Sequence, residues 1–289
     1  MTTVMFYCDI KPKMENTRIA LTFGDAGENH VGMEMVGKLG KAGSGFSPGD
    51  LQTIGQWMTK TYKLKVELHV LTIPESKEEA SVLIIRDYIS YDIQKNIFGE
   101  MQSFDWDRKY YDTRRKKVLN KHARSNVVLL EGVEQHPDYD NKKGRIVDSN
   151  KLPFFATFKA DMIRRFDSAL KGRGIRIGPL ICEGNQYFDL KKCGIGYHGD
   201  AERRKVICLS LGCDNYPMRW QWFKDSVPVG DPFKFRLNSG DVYVMSEKAV
   251  GHDWKRRSIY TLRHAAGAAK YLSLKRYLDN AAKKALSQK

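Results

Sequence analysis

The sequence predicts an α+β fold, and three observations carry that prediction. Strand-like alternation of apolar with polar or small residues occurs in both halves of the chain, one long helical period stands between them, and turn residues bound most of these segments. With 289 residues, the chain has room for one elaborated domain or two. Residues 4–8 and 18–22 read as strands. A helix is expected from Pro48, with Ser47 as its cap and Leu51, Ile54 and Trp57 on one face. Residues 66–73 alternate like a strand, whereas 81–89 suit strand or helix equally. Together the first 110 residues read as an N-terminal α/β extension.

Composition changes near Tyr110, where a basic connecting segment, 111–150, begins. The basic block that spans this boundary comprises Arg108, Lys109, Arg114, Arg115, Lys116, Lys117, Lys121 and Arg124, interleaved with Tyr110 and Tyr111. The block is either a phosphate-binding surface or a solvated helix or linker. Within 154–170, Phe155, Phe158, Met162, Ile163, Phe166 and Leu170 recur at helical spacing, so this helix should pack on the outside of a sheet. Residues 151–289 form the expected core. It closes with an amphipathic C-terminal helix carrying Leu272, Leu274, Tyr277, Leu278 and Leu286.

The most informative stretch is 185–202, NQYFDLKKCGIGYHGDAE. Side chains alternate along a strand, so His198 and Asp200 project to one side while Gly199 points away. An imidazole and a carboxylate on one side can take adjacent positions on a metal ion. A second imidazole from another strand would complete the two-histidine, one-carboxylate set associated with non-haem Fe(II). Zinc would ordinarily be offered more sulfur or nitrogen, which the cysteines here do not supply. A second copy of the triplet, His136-Pro137-Asp138, lacks flanking apolar alternation, and its proline cannot donate to a ladder, so it reads as loop. Around His198, by contrast, Ile195 and Tyr197 alternate with small residues, and Val206, Ile207, Cys208 and Leu209 continue into a buried strand.

Later in the chain, the turn Asn238-Ser239-Gly240-Asp241 precedes the strand pattern VYVMS, then GHDWKRRSIYTLRHAAG. Here His252 is the expected second imidazole. Arg257, Ile259, Thr261 and Arg263 fall on one face of an extended segment, and two arginine forks there could clamp a dicarboxylate.

These ordered elements, across about 179–267, resemble the catalytic core of the AlkB family of Fe(II)- and 2-oxoglutarate-dependent dioxygenases. The resemblance implies a double-stranded β-helix, or jelly roll, with flanking helices. It implies that His198, Asp200 and His252 are catalytic and hold Fe(II), and that Asn185 and Tyr187 contact 2-oxoglutarate. Arg257 and Arg263 would hold the co-substrate carboxylates, with Thr261 in register. Glu202, two past the metal aspartate, would face the substrate base. One departure is visible: the family often has asparagine where this chain has Ile259. The implied reaction consumes O2 and 2-oxoglutarate, and oxidises a methyl or alkyl group, with demethylation at nitrogen or a stable alcohol at carbon.

Composition suits a nucleic-acid partner, DNA or RNA. Lys plus Arg total 49 against 34 acidic residues, for a net charge of +15, and the pI is near 9.5; such a surface favours encounter with a polyanion. Trp220 and Trp222 in MRWQWFK would share one strand face and could stack on an extruded base, with Arg219 beside them meeting phosphate. Tyr243 and Trp254 are further aromatic candidates. The competing readings are a hydroxylase of protein side chains or small molecules with the same chemistry, and a nucleic-acid-binding module without turnover. The run Gly32 to Lys38 has phosphate-loop spacing, but Leu39 stands where Ser or Thr would hold magnesium, so no nucleotide site is expected there. Five cysteines form no CxxC pair, as suits reduced thiols. No membrane span or secretion signal is apparent, so an intracellular setting is expected: nucleus, cytoplasm or a virus-infected cell.

Overall fold

Residues 16–286 are described by the structure, a computed structural model; the strand expected at 4–8 lies outside them. The first strand, β1 (Arg18–Gly24), is buried along its whole length. A short ladder pairs β2 (Ala26–Glu28) with β3 (Met35–Gly37). Helix α1 (Pro48–Tyr62) begins with a capping box: Asp50 N donates to Ser47 Oγ at 3.1 Å and Ser47 N donates to the Asp50 carboxylate at 2.9 Å. Leu51, Ile54 and Met58 form its buried face, whereas Trp57 points outward. Strand β4 (Val66–Val70) is followed by β5 (Ser81–Ile85), whose five buried residues resolve the strand-or-helix ambiguity as strand.

After α2 (Tyr91–Glu100), the basic block forms an antiparallel hairpin, β6 (Lys109–Asp112) with β7 (Lys117–Asn120), rather than a helix or linker. Then follow β8 (Ser125–Leu130), β9 (Ile146–Asp148) and α3 (Pro153–Ala169). The last part comprises β10 (Ile181–Tyr187), β11 (Gly194–His198), β12 (Val206–Gly212), β13 (Tyr216–Lys224), β14 (Val227–Leu237), β15 (Val242–Met245), the single turn α4 (Glu247–Val250), β16 (Thr261–Gly267) and α5 (Lys275–Leu286). The extended segment expected from Arg257 begins only at Thr261, because 252–259 form turns.

Strands dominate this α+β fold. An eight-stranded sheet has the order β4-β5-β15-β12-β1-β10-β8-β9, and a four-stranded sheet the order β11-β16-β13-β14. The large sheet draws strands from each of the segments 1–110, 111–150 and 151–289. Its central strand is β1, antiparallel to β10 on one side and β12 on the other.

Alternation along β1 explains the layering. Ile19, Leu21 and Phe23 join the core under α1, α2 and α3, where Phe23 stacks on Phe155 at 5.8 Å. Arg18, Ala20 and Thr22 face the other way, toward the four-stranded sheet. Between the sheets a second core forms from Val206, Cys208 and Tyr243 on one side, and Met218, Trp220, Trp222 and Leu262 on the other. Each such large apolar side chain contributes about 1.5–3 kcal/mol by burial. No helix among the described residues is long and apolar enough to cross a membrane.

Candidate metal centre and its cavity

The space between the two sheets is not filled at one end. A cavity of about 330 Å³ remains, walled by β1, β10, β12 and β15 on one side and by β11, β13 and β16 on the other. His198 ends β11, and the chain then turns through Gly199, where a Cβ would sit 2.0 Å from Gly251 O, so that turn closes only with glycine. Asp200 N donates to Val250 O at 3.0 Å, which fixes the aspartate beside the histidine.

The third member of the group is His264, on β16 directly opposite His198. His198 Nε2 lies 3.4 Å and His264 Nε2 3.6 Å from Asp200 Oδ1, and the three side chains offer ligand atoms that all lie within 4.8 Å of one another. His198 Nδ1 meets only acceptors, the carbonyls of Gly196 at 2.8 Å and His264 at 3.0 Å. Nδ1 therefore donates, and Nε2 is the nitrogen that faces the carboxylate. Burial, with His198 adjacent, lowers the pKa of His264. Burial alone would raise that of Asp200, but His264, the two imidazole contacts and Arg203 hold it well below the usual carboxylate range. Two imidazole nitrogens thus converge on an ionised carboxylate, which is the donor set of a metal centre.

His252 is not in this group. It lies one residue beyond Gly251, whose left-handed backbone ends α4, and its ring is surrounded by the charges of Arg204, Asp253, Glu247 and Lys248. The expected clamp is displaced as well. Alternation on β16 sends Leu262, His264 and Ala266 toward the other sheet and Thr261 and Arg263 outward; the Arg263 guanidinium stacks 4.1 Å from the Phe223 ring and 5.4 Å from that of Trp254. Arg257 is exposed in the preceding turn.

A different arginine faces the cavity. Arg18, 1% exposed, donates from Nε to Ser210 Oγ at 3.2 Å, and its guanidinium lies 4.2 Å from the Tyr216 ring and 5.7 Å from that of Tyr187. Its Nη2 is buried with no hydrogen-bond partner. A permanently charged group in that state carries a desolvation cost of several kcal/mol, which an entering anion would offset.

Asn185 and Tyr187 both line the cavity. Asn185 Oδ1 accepts from Arg124 Nε at 2.7 Å and Asn126 Nδ2 at 2.5 Å, and its amide donates to Glu183 at 3.0 Å. Glu202 also reaches the cavity, where burial pushes its carboxyl up to about 7 against the pull of Arg203. Arg203 pairs with Glu183, lies 3.6 Å from the Asp200 carboxylate, and is anchored by a 2.8 Å hydrogen bond to Ala26 O.

The aromatic candidates divide by face. Tyr243 and Trp254 line the cavity. Trp220 and Trp222 are core: Trp220 sits 5.9 Å from the His264 ring with Nε1 donating to Ala249 O, and Trp222 donates to Leu71 O. Arg219 turns to the outer face and donates to Leu272 O at 2.8 Å.

The register sets the direction of the cavity. Arg18 pairs with Tyr187, and Thr22, four residues on, pairs with Glu183, so the strand carries the wall roughly 13 Å from the arginine end to the end where Glu183 and Arg203 meet. Near the second end stand His30 and Glu28; His30 stacks on Tyr110 of the β6–β7 hairpin at 3.7 Å.

No known protein-family profile matches this chain. It is 37% identical over 260 residues to a protein of Acanthamoeba polyphaga mimivirus named uncharacterized protein R156, covering 88% of this chain and 97% of that protein.

Proposed function

This chain belongs to the same family as the mimivirus protein R156, a name that assigns no chemistry, and we propose from the site itself that it is an Fe(II)- and 2-oxoglutarate-dependent dioxygenase acting on alkyl or methyl groups of nucleic-acid bases. The observation that carries this reading is the convergence of His198, Asp200 and His264 in a cavity that also holds an unpaired, buried arginine. The donor set fits ferrous iron. Two imidazoles and one carboxylate supply three ligands, with no thiolate in the group. A structural zinc site would need a fourth protein ligand.

The winding of the chain supports a double-stranded β-helix around this centre. From β10 to β13 successive strands alternate between the two sheets, as they do from β14 to β16, and β1 fills the remaining place between β10 and β12. The chemistry that iron supplies with 2-oxoglutarate and oxygen is oxidation of a C–H bond, with release of succinate and CO2.

The chain's own groups then have defined tasks. Arg18, held by Ser210 and flanked by Tyr187 and Tyr216, receives a carboxylate at the closed end. Asn185, fixed by Arg124 and Asn126, presents an oriented amide to the same space. Arg203 stands behind Asp200 at 3.6 Å and adds to the pull of the two imidazoles on its carboxylate, and Trp220 backs the His264 ring. At the far end Glu202, Glu28 and Trp254 form a polar, one-sided aromatic mouth, into which an extruded base would enter. The net charge of +15 favours delivery of a polyanion to that mouth.

Anaerobic addition of Fe(II) and 2-oxoglutarate should produce a weak visible charge-transfer band; a colourless mixture with no 2-oxoglutarate binding overturns the proposal. Mass spectrometry of methylated single-stranded DNA, duplex DNA, RNA and peptide pools after aerobic incubation then identifies the substrate. A gain of about 16 mass units marks hydroxylation at carbon and a loss of about 14 marks demethylation at nitrogen. Conversion confined to peptides overturns the nucleic-acid part alone.

A further inference from the structure

Outside the cavity, on the opposite face of β10, lies an open groove of about 730 Å³. Gln186 reaches it from β10, between the cavity-lining Asn185 and Tyr187, since strand neighbours point to opposite faces. The groove floor is aromatic: Phe104 and Trp106 are half-buried with ring centroids 5.7 Å apart, and Tyr139 stands near them. Trp106 is held in place by its Nε1 donating to Met101 O at 2.8 Å and by the absence of a side chain at Gly184, where a Cβ would meet its ring at 2.9 Å. Tyr139 is fixed by a 2.8 Å hydrogen bond to Asp107.

Three cations line this groove, Arg108, Lys109 and Arg145, against one carboxylate, the almost fully exposed Asp105. Two polar atoms in its walls are buried without partners: Oε1 of Gln186, an acceptor, and Nε of Arg145, a donor. Buried donors and acceptors normally find partners, so this pair presents unmet capacity to a polar ligand.

We infer that this groove is a second nucleotide subsite, which takes a flanking nucleotide of a single-stranded nucleic acid whose target base occupies the cavity. Aromatic rings beside a donor, an acceptor and a row of cations match what an unstacked base and its phosphates require. A base inside a duplex has both faces stacked and could not use that floor, so the observations favour a single strand over a double helix. Continuity with the cavity comes from the β6–β7 hairpin. Arg108 and Lys109 stand at its start, Tyr110 stacks on the cavity residue His30, and its tip carries the exposed cations Arg114, Arg115 and Lys116. The tip is held by Asp112 accepting from Arg115 N at 2.7 Å. A strand leaving the mouth past His30 follows this hairpin into the groove. The inference rests on the nucleic-acid reading above.

The test is fluorescence anisotropy of a labelled single-stranded twelve-nucleotide DNA and its RNA counterpart across a salt series, with the full chain and its Arg108→Glu, Lys109→Glu and Trp106→Phe variants. Expected are at least a tenfold weakening for each charge reversal, on the order of what loss of a phosphate contact with reversed charge produces, and a salt slope shallower by about one. Trp106→Phe, which keeps a ring in the floor, should abolish part of the tryptophan quenching by oligonucleotide while leaving the fold intact by circular dichroism. Lys275→Glu, on α5 away from the groove, should bind like the parent. Equal affinity and equal slope for parent, Arg108→Glu and Lys109→Glu overturn the subsite, as does tighter binding of the matching duplex. Fe(II) and 2-oxoglutarate binding are read separately in each variant: groove failure with both intact overturns the subsite alone, whereas their loss in the unmutated chain overturns the dioxygenase reading.

Discussion

Arg18, at the start of β1, and Arg263, within β16, are both buried, each with its guanidinium over an aromatic ring. Each keeps a buried guanidinium nitrogen without a partner, Nη2 of Arg18 and Nε of Arg263, but the first faces the cavity between the sheets and the second faces outward against Phe223 and Trp254. What separates them is the parity of their position on a strand. Arg263 is next to His264, so the strand period that brings the imidazole into the cavity turns the arginine out of it. Two strand arginines thus stand beside the site, and pleating decides which of them faces the cavity.

The comparison is broken most severely at the metal group. Asp200→Ala and His264→Ala are each expected to weaken Fe(II) or Co(II) binding by more than about a hundredfold and to abolish turnover, because losing a ligand exceeds the 10–100-fold effect of losing a group behind one. His252→Ala, outside the group, should leave metal affinity within about threefold by calorimetry. If the pattern is reversed, the assignment of His264 fails.

Stability responds next. Trp222→Ala is expected to cost about 3–5 kcal/mol in urea unfolding, since a fully buried ring and its hydrogen bond to Leu71 O are both lost. Trp254→Ala, at the cavity, should cost less than half of that.

Arginine replacement then separates the two faces directly. Arg18→Met should weaken 2-oxoglutarate binding by roughly thirtyfold or more, about 2 kcal/mol, without lowering the thermal midpoint of the ligand-free protein, because an uncompensated buried charge has been removed. Arg263→Met should leave that affinity within about threefold. Equal losses in the two variants would remove the distinction between the faces.

Lys121 supplies the smallest test. It is another buried cation, hydrogen-bonded to Asn29 O, Asn29 Oδ1 and Asn126 Oδ1, with Asp107, Arg124 and Glu183 around it. Burial lowers its pKa from 10.5 to about 7. Unlike an arginine, it can release its proton. Between about pH 7 and 10 the unfolded chain binds more protons at this residue than the folded one, so its contribution to stability rises with pH, by at most about 1.4 kcal/mol per unit. Lys121→Met should flatten that part of the stability profile; an unchanged slope would assign the effect elsewhere.

Much of the local structure was legible in the residues. The Ser47 cap and Pro48 announce α1, spaced phenylalanines announce α3, and an apolar run announces β12, because these signals lie within a few positions of one another. The His198–Asp200 pair was legible for the same reason. The third member of the group, His264, was not. Leu262, His264 and Ala266 alternate as an inward face should, but the two arginines and Thr261 drew attention to the outward one. Arg18 was out of reach of local reasoning, since its role arises only when β1 pairs with strands more than 150 residues away. The hairpin was obscured by its charge, which reads as a solvated segment until its two four-residue strands are seen to pair.

The central place of β1 also has a consequence for biosynthesis. Residues 18–24 leave the ribosome early, yet both strands that flank them, 181–187 and 206–212, are made more than 150 residues later. At about 5–20 residues per second, that is an interval of roughly ten to forty seconds, during which an apolar segment built for the middle of a sheet has neither neighbour. Chaperones that cover residues 18–24 during that interval would therefore raise the yield of folded protein.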